Sequence, residues 1–130
     1  MTPEQIEEVR AVVEAVGRHP EFAERFYGRL FDVAPQTRGM FGDMAAQQQK
    51  LVDELAAMVD LISDLGGLEV RAAELGQRHV GYGVRAAHYR VARQVMLDTL
   101  DEVLGDELDP SARAAWERAT MLITELMQTP

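Results

Sequence analysis

Cysteine is absent from the 130 residues. That removes disulfides, thiol nucleophiles, iron–sulfur clusters and cysteine-ligated zinc at once. Positive charge is scarce: Lys50 is the single lysine beside twelve arginines, and the formal net charge is −9. Nucleic acid and anionic membrane surfaces call for basic patches, so neither is expected as a partner. No apolar run approaches the roughly 18 residues that a membrane span needs. The first residues, MTPEQIEEVR, lack the basic-then-apolar order of a secretory signal. No stretch of useful length alternates with period two, so strands are not expected. Repeats, low-complexity runs and linkers are missing as well. The expectation is one soluble, cytoplasmic, all-α domain over 1–130.

What is present is helical punctuation. Thr2-Pro3-Glu4-Gln5 supplies a cap, a first-position proline and the glutamine of a capping box. Ile6, Val9, Val13 and Val16 then recur at helical spacing, up to Gly17 and His19-Pro20. Phe22, Phe26, Leu30 and Val33 form a second stripe that stops before Pro35. Tyr27 lies beside it, on the line Ala23–Tyr27–Leu30–Ala34. Pro35 to Phe41 predicts a short helical turn into a corner. A long helix follows from about Asp43 to Ile62, with Met44, Gln47, Leu51, Leu55, Met58 and Ile62 inward. Gly66-Gly67 predicts a turn. Leu68, Ala72, Leu75 and His79 make a fourth stripe, broken by Gly81 and Gly83. Tyr89, Ala92, Met96, Leu100 and Val103 mark another helix, ended by Gly105. Asp109-Pro110 opens the last, lined by Trp116, Ala119, Ile123 and Leu126.

Three polar side chains fall where apolar ones belong. His79 ends an apolar stripe, Gln47 interrupts another, and Tyr27 brings a hydroxyl to a phenylalanine-rich face. Each alone has an ordinary reading: a core histidine, a glutamine bonded to a loop, a tyrosine packed with its hydroxyl at the rim. Together they suit a haem pocket. Neutral imidazole on a helix is a strong iron ligand. The rest of such a pocket is dry and apolar, with polar groups only where they meet iron or its ligand. His19, at a helix junction, and His88, at a helix start, read as surface residues.

The same residues carry a resemblance. The chain is similar to bacterial globins, close to the haem domain of flavohaemoglobins and to single-domain bacterial haemoglobins, over nearly its whole length. FYGRLF, Phe26–Phe31, resembles the second helix of that family, with Tyr27 as distal tyrosine. Phe41 falls at its corner phenylalanine, which packs on the haem face. QQQKL, Gln47–Leu51, resembles the distal helix, with Gln47 and Leu51 facing the ligand; Gln48 and Gln49 are the alternative registers. LGQRHVGYGV, Leu75–Val84, resembles the proximal helix end, with His79 as iron ligand and Val84 beside the cofactor. Tyr89 matches a proximal-side tyrosine, and Trp116 a tryptophan of the last helix. Two departures stand out. Phe41 to Gln47 is about four residues shorter than in flavohaemoglobins, which tightens the corner. Glu125 is out of register with the glutamate that joins the proximal histidine and tyrosine in that family, so a strongly electron-donating histidine is not expected.

The resemblance implies a globin fold around haem b (iron protoporphyrin IX). His79 is expected to hold iron through one ring nitrogen, while the other donates to a carbonyl one turn earlier, near Leu75. Tyr27 and Gln47 can both donate to a bound gas. The expected activity is reversible binding of O2, NO or CO, for O2 storage, delivery or sensing. The alternative is nitric oxide dioxygenation, which needs electrons from a separate reductase. A third reading is a haem-free helical interaction module. The oligomeric expectation is a monomer or homodimer.

Overall fold

Helix starts follow the caps in the sequence. Thr2 and Gln5 close a reciprocal capping box, with Gln5 N–H donating to Thr2 Oγ1 at 3.1 Å and Thr2 N–H to Gln5 Oε1 at 2.9 Å. Asp43, Asp64 and Asp109 accept backbone N–H groups at the starts of three later helices. Each such cap stabilises its helix by about 1 kcal/mol. The computed structural model describes residues 1–128; Thr129 and Pro130, the end of the expected 1–130 domain, lie outside the described residues. Its helices are α1 (Pro3–Gly17), α2 (Glu21–Val33), α3 (Met44–Asp60), α4 (Leu65–Gly81), α5 (Ala86–Leu104) and α6 (Pro110–Met127). A 3-10 helix, Pro35–Met40, makes the corner between α2 and α3. No strand occurs among the described residues. No helix there is long and apolar enough to cross a membrane.

Three local expectations need correction. Gly66 and Gly67 are not the turn; they lie in the first turn of α4, where Asp64 captures Gly67 N–H and starts the helix early. The turn is Leu61–Asp64, closed by Asp64 N–H on the Leu61 carbonyl at 2.8 Å. Val33 is 60% exposed, because Ala34 turns inward in its place. Gly81 stays helical, and Gly83 makes the break with φ +90°.

α1 packs on α6 and α3, α2 on α5, and α4 on α6, while α3 and α4 touch each other little. The buried apolar residues form two clusters. One gathers Val9, Phe22, Tyr27, Leu100 and Trp116, with Phe41, Leu51 and Leu55 packed against it. The other gathers Met58, Leu68, Ala72, Tyr89, Ile123 and Met127, with Leu75 and Val84 against it. α3 reaches both clusters, with Leu51 and Leu55 against the first and Met58 in the second.

Candidate functional site

On α2, the Phe-rich face carries Tyr27 into the first cluster, where it is 4% exposed. Its ring meets Phe26, Phe31 and Phe41, edge to face with Phe26 and Phe41 at centroid separations of 5.0 and 5.3 Å. Phe31 and Phe41 are themselves 5.7 Å apart. The short 3-10 corner brings Phe41 onto Tyr27, and Asp43 then starts α3 in the register that aims Gln47 at the same place. Gln47 Nε2 donates to the Tyr27 hydroxyl at 3.0 Å. The neighbouring glutamines go elsewhere. Gln49 donates to Asp53 at 2.9 Å, and Gln48 borders a surface groove with Val16, His19 and Ala23. Burial pushes the Tyr27 phenol up, against the opposing pull of Gln47. Its proton is therefore retained at neutral pH, and no acceptor takes it among the described residues.

On α4, His79 Nδ1 lies 2.8 Å from the Leu75 carbonyl. A carbonyl only accepts, so Nδ1 carries the proton and Nε2 keeps its lone pair. Burial lowers the imidazole pKa, the Leu75 bond raises it, and Arg78 adds to the lowering. The ring is thus neutral and a competent ligand, and Nε2 has no hydrogen-bond partner among the described residues. Tyr89 stacks beside it, 6.1 Å between centroids with planes 23° apart. The Val84 and Tyr82 N–H groups both return to the His79 carbonyl at 3.0 Å. That tight turn, made possible by positive φ at Gly83, seats Val84 in the second cluster. Trp116 lies deep in the first cluster.

Gly76, one turn before His79, is where α4 meets the end of α6. A Cβ there would stand 1.9 Å from the Met127 carbonyl oxygen, so glycine lets α4 lie directly on the end of α6. The other two histidines take structural roles. His88 Nδ1 accepts from Arg85 N–H at 2.8 Å and caps α5. His19 is half-buried rather than exposed. It joins Glu107 at 2.8 Å and Glu21 at 3.3 Å, tying the α1–α2 junction to the turn before α6.

Sequence reasoning missed Glu54 and Arg71. Arg71 donates to both carboxylate oxygens of Glu54, at 3.0 and 2.9 Å. The signal was present: Glu54 falls on the same helical line as Gln47, Leu51 and Met58.

The donor set suits haem. No three His, Asp or Glu side chains cluster as a metal cage among the described residues. One free imidazole nitrogen in largely apolar surroundings is the kind of donor that a haem iron takes. The flanking side chains, Phe41, Leu51, Leu55, Leu75, Val84 and Tyr89, are the kind that hold a flat apolar group.

Comparison with known proteins identifies the family. The globin family model matches residues 24–127. A flavohemoprotein of Bordetella pertussis is 32% identical over 129 residues, covering 92% of this chain and 32% of the relative. An anaerobic nitrite reductase of Oryza sativa is 29% identical over 104 residues, covering 75% of this chain and 72% of the relative. Among solved structures, an engineered carbene transferase built on a candidate nitric oxide dioxygenase of Rhodothermus marinus superposes with a TM-score of 0.85. Its identity is 26%, over 98% of this chain and 90% of that one. The chain spans about a third of the length of the flavohemoproteins it matches.

Proposed function

The chain belongs to the globin family, and from that premise we propose that it carries haem b on His79 and binds diatomic gases reversibly beside Tyr27 and Gln47. The observation behind this reading is a pair of unspent polar atoms in an otherwise apolar setting. His79 Nε2 keeps a lone pair, and the Tyr27 hydroxyl keeps a proton. Haem, when bound, supplies the ferrous iron that takes the gas. Leu75 holds the imidazole in the tautomer that leaves Nε2 free for iron. Gln47 donates into Tyr27 and so turns the phenolic proton away from itself, toward the gas. Phe41, Leu51 and Val84 exclude water. The role is O2 storage, delivery or sensing, in a cytoplasmic protein that acts as a monomer or homodimer.

A second reading is favoured by the Rhodothermus marinus relative. Nitric oxide dioxygenation combines NO and O2 into nitrate with one electron. This chain would take that electron from a separate reductase.

Spectra of the purified protein test the reading: ferric, then reduced with dithionite, then exposed to O2 and to CO. A strong Soret band that shifts with each gas is the expected result. No Soret band after addition of haemin would overturn it. Sustained consumption of NO with a reductase and O2, yielding nitrate, marks the enzyme. A single turnover that then stops marks the carrier.

A further inference from the structure

α3 and α4 form a helical hairpin about the turn Leu61–Asp64. Its open end carries Gln47 on one arm and His79 on the other. Glu54 and Arg71 face each other across it, each about two helical turns, roughly 10 Å, from the turn. Arg71 Nε donates to Glu54 Oε1 at 3.0 Å, and Nη2 to Oε2 at 2.9 Å. A two-point pairing fixes orientation as well as distance, which a single ammonium cannot do. The Glu54 side chain is 24% exposed and projects from the stripe of Gln47 and Leu51. Its charge also reaches His79, where it favours the protonated ring. Apart from Met58, packed with Leu68 and Ala72 near the turn, little else joins the two arms, since α3 leans on α1 and α2 and α4 leans on α6.

We propose that the Glu54–Arg71 pair is a strap across this hairpin, holding the arm of Gln47 at a set spacing from the arm of His79 and so retaining the haem between them. The inference rests on the haem reading above. Both are positioning residues that act through the helices and not on the gas. Cutting the strap lets the hairpin open at Leu61–Asp64. The two halves of the pair are not equivalent. Loss of Arg71 leaves a partly buried carboxylate uncompensated beside the cofactor, whereas loss of both leaves no stranded charge.

The test is the rate at which ferric protein gives up haem to an excess of an apoprotein acceptor. Glu54→Gln should release haem about three- to tenfold faster than the parent, and Arg71→Ala faster still. Arg71→Lys should fall between parent and Arg71→Ala. The double variant Glu54→Ala, Arg71→Ala should hold haem longer than Arg71→Ala alone. In the unmutated protein, added salt should speed release toward the Glu54→Gln rate, because a partly exposed pair is screened. Glu54→Gln should respond much less. Equal rates in all variants, or a double variant that is the fastest of all, would overturn the strap. So would parent and Glu54→Gln responding equally to salt, a comparison that needs only the mildest variant to fold. A parent protein that takes up no haem would bring down the haem reading and the strap with it, whereas haem uptake with unchanged release removes the strap alone.

Discussion

The Gln47 amide donates to the Tyr27 hydroxyl at 3.0 Å, joining two polar residues twenty positions apart in an apolar wall. The donor is the amide, so the phenolic proton stays available. A hydrogen bond to a charged or strongly polarised acceptor stabilises by about 1.5–3 kcal/mol. At about 1.4 kcal/mol per tenfold, Tyr27→Phe should speed O2 dissociation roughly ten- to a hundredfold. Gln47→Leu should have a smaller effect, because its amide acts by orienting Tyr27. Stopped-flow displacement of O2 by CO measures both. An unchanged off-rate in Tyr27→Phe would remove that hydroxyl from the account.

Gly76 predicts a loss where helix propensity alone predicts a gain. Alanine is intrinsically better in a helix by about 1 kcal/mol. Its Cβ, however, would sit 1.9 Å from the Met127 carbonyl, and a backbone atom cannot swing aside. Moving α6 should outweigh the gain, for a net cost of about 1–3 kcal/mol. The midpoint of thermal unfolding should drop by about 4–12 °C. Because Gly76 lies one turn before His79, the Soret maximum should shift too. A variant as stable as the parent would show that α4 does not rest on α6 as described.

Much of this was legible in the sequence, for physical reasons that can be named. Caps are local, so Thr2 and Asp109 could be read directly, and Asp43, marked only as a helix start, proves to be a cap as well. Stripes are periodic, so the burial of Tyr27 on the Ala23–Leu30–Ala34 line could be read, and His79 on the Leu75 line is partly buried. A helical histidine one turn after a carbonyl has a ready acceptor, and Leu75 is that acceptor. What stayed hidden depends on a second element. Gly66-Gly67 looked like a turn because the capture of Gly67 by Asp64 competes with glycine's flexibility. Gly76 looked like an idle helical glycine until Met127 lay across it. The Glu54–Arg71 pairing needs the hairpin geometry, and the anchoring of His19 needs Glu107 from far along the chain.

His19 should give stability a pH dependence, and its surroundings set the sign. Its pKa is raised, first by the hydrogen bond to Glu107, with Glu21 adding to it. A folded pKa above the unfolded value of about 6.5 means the contribution is full below that value. It fades as pH rises through the folded pKa. The melting temperature of the parent should therefore exceed that of His19→Gln most near pH 6, where both glutamates are still ionised. The gap should narrow toward pH 8.5. A gap independent of pH would mean that His19 holds the junction by packing alone.

The most direct measurement of the central claim compares the parent with His79→Ala as ferrous and ferrous–CO haem proteins, before and after added imidazole. His79→Ala should lose the spectrum of a histidine-ligated iron. Imidazole, entering the space the side chain leaves, should restore it. A variant whose spectra match the parent's without imidazole would contradict the account, because the iron would then be held by another group.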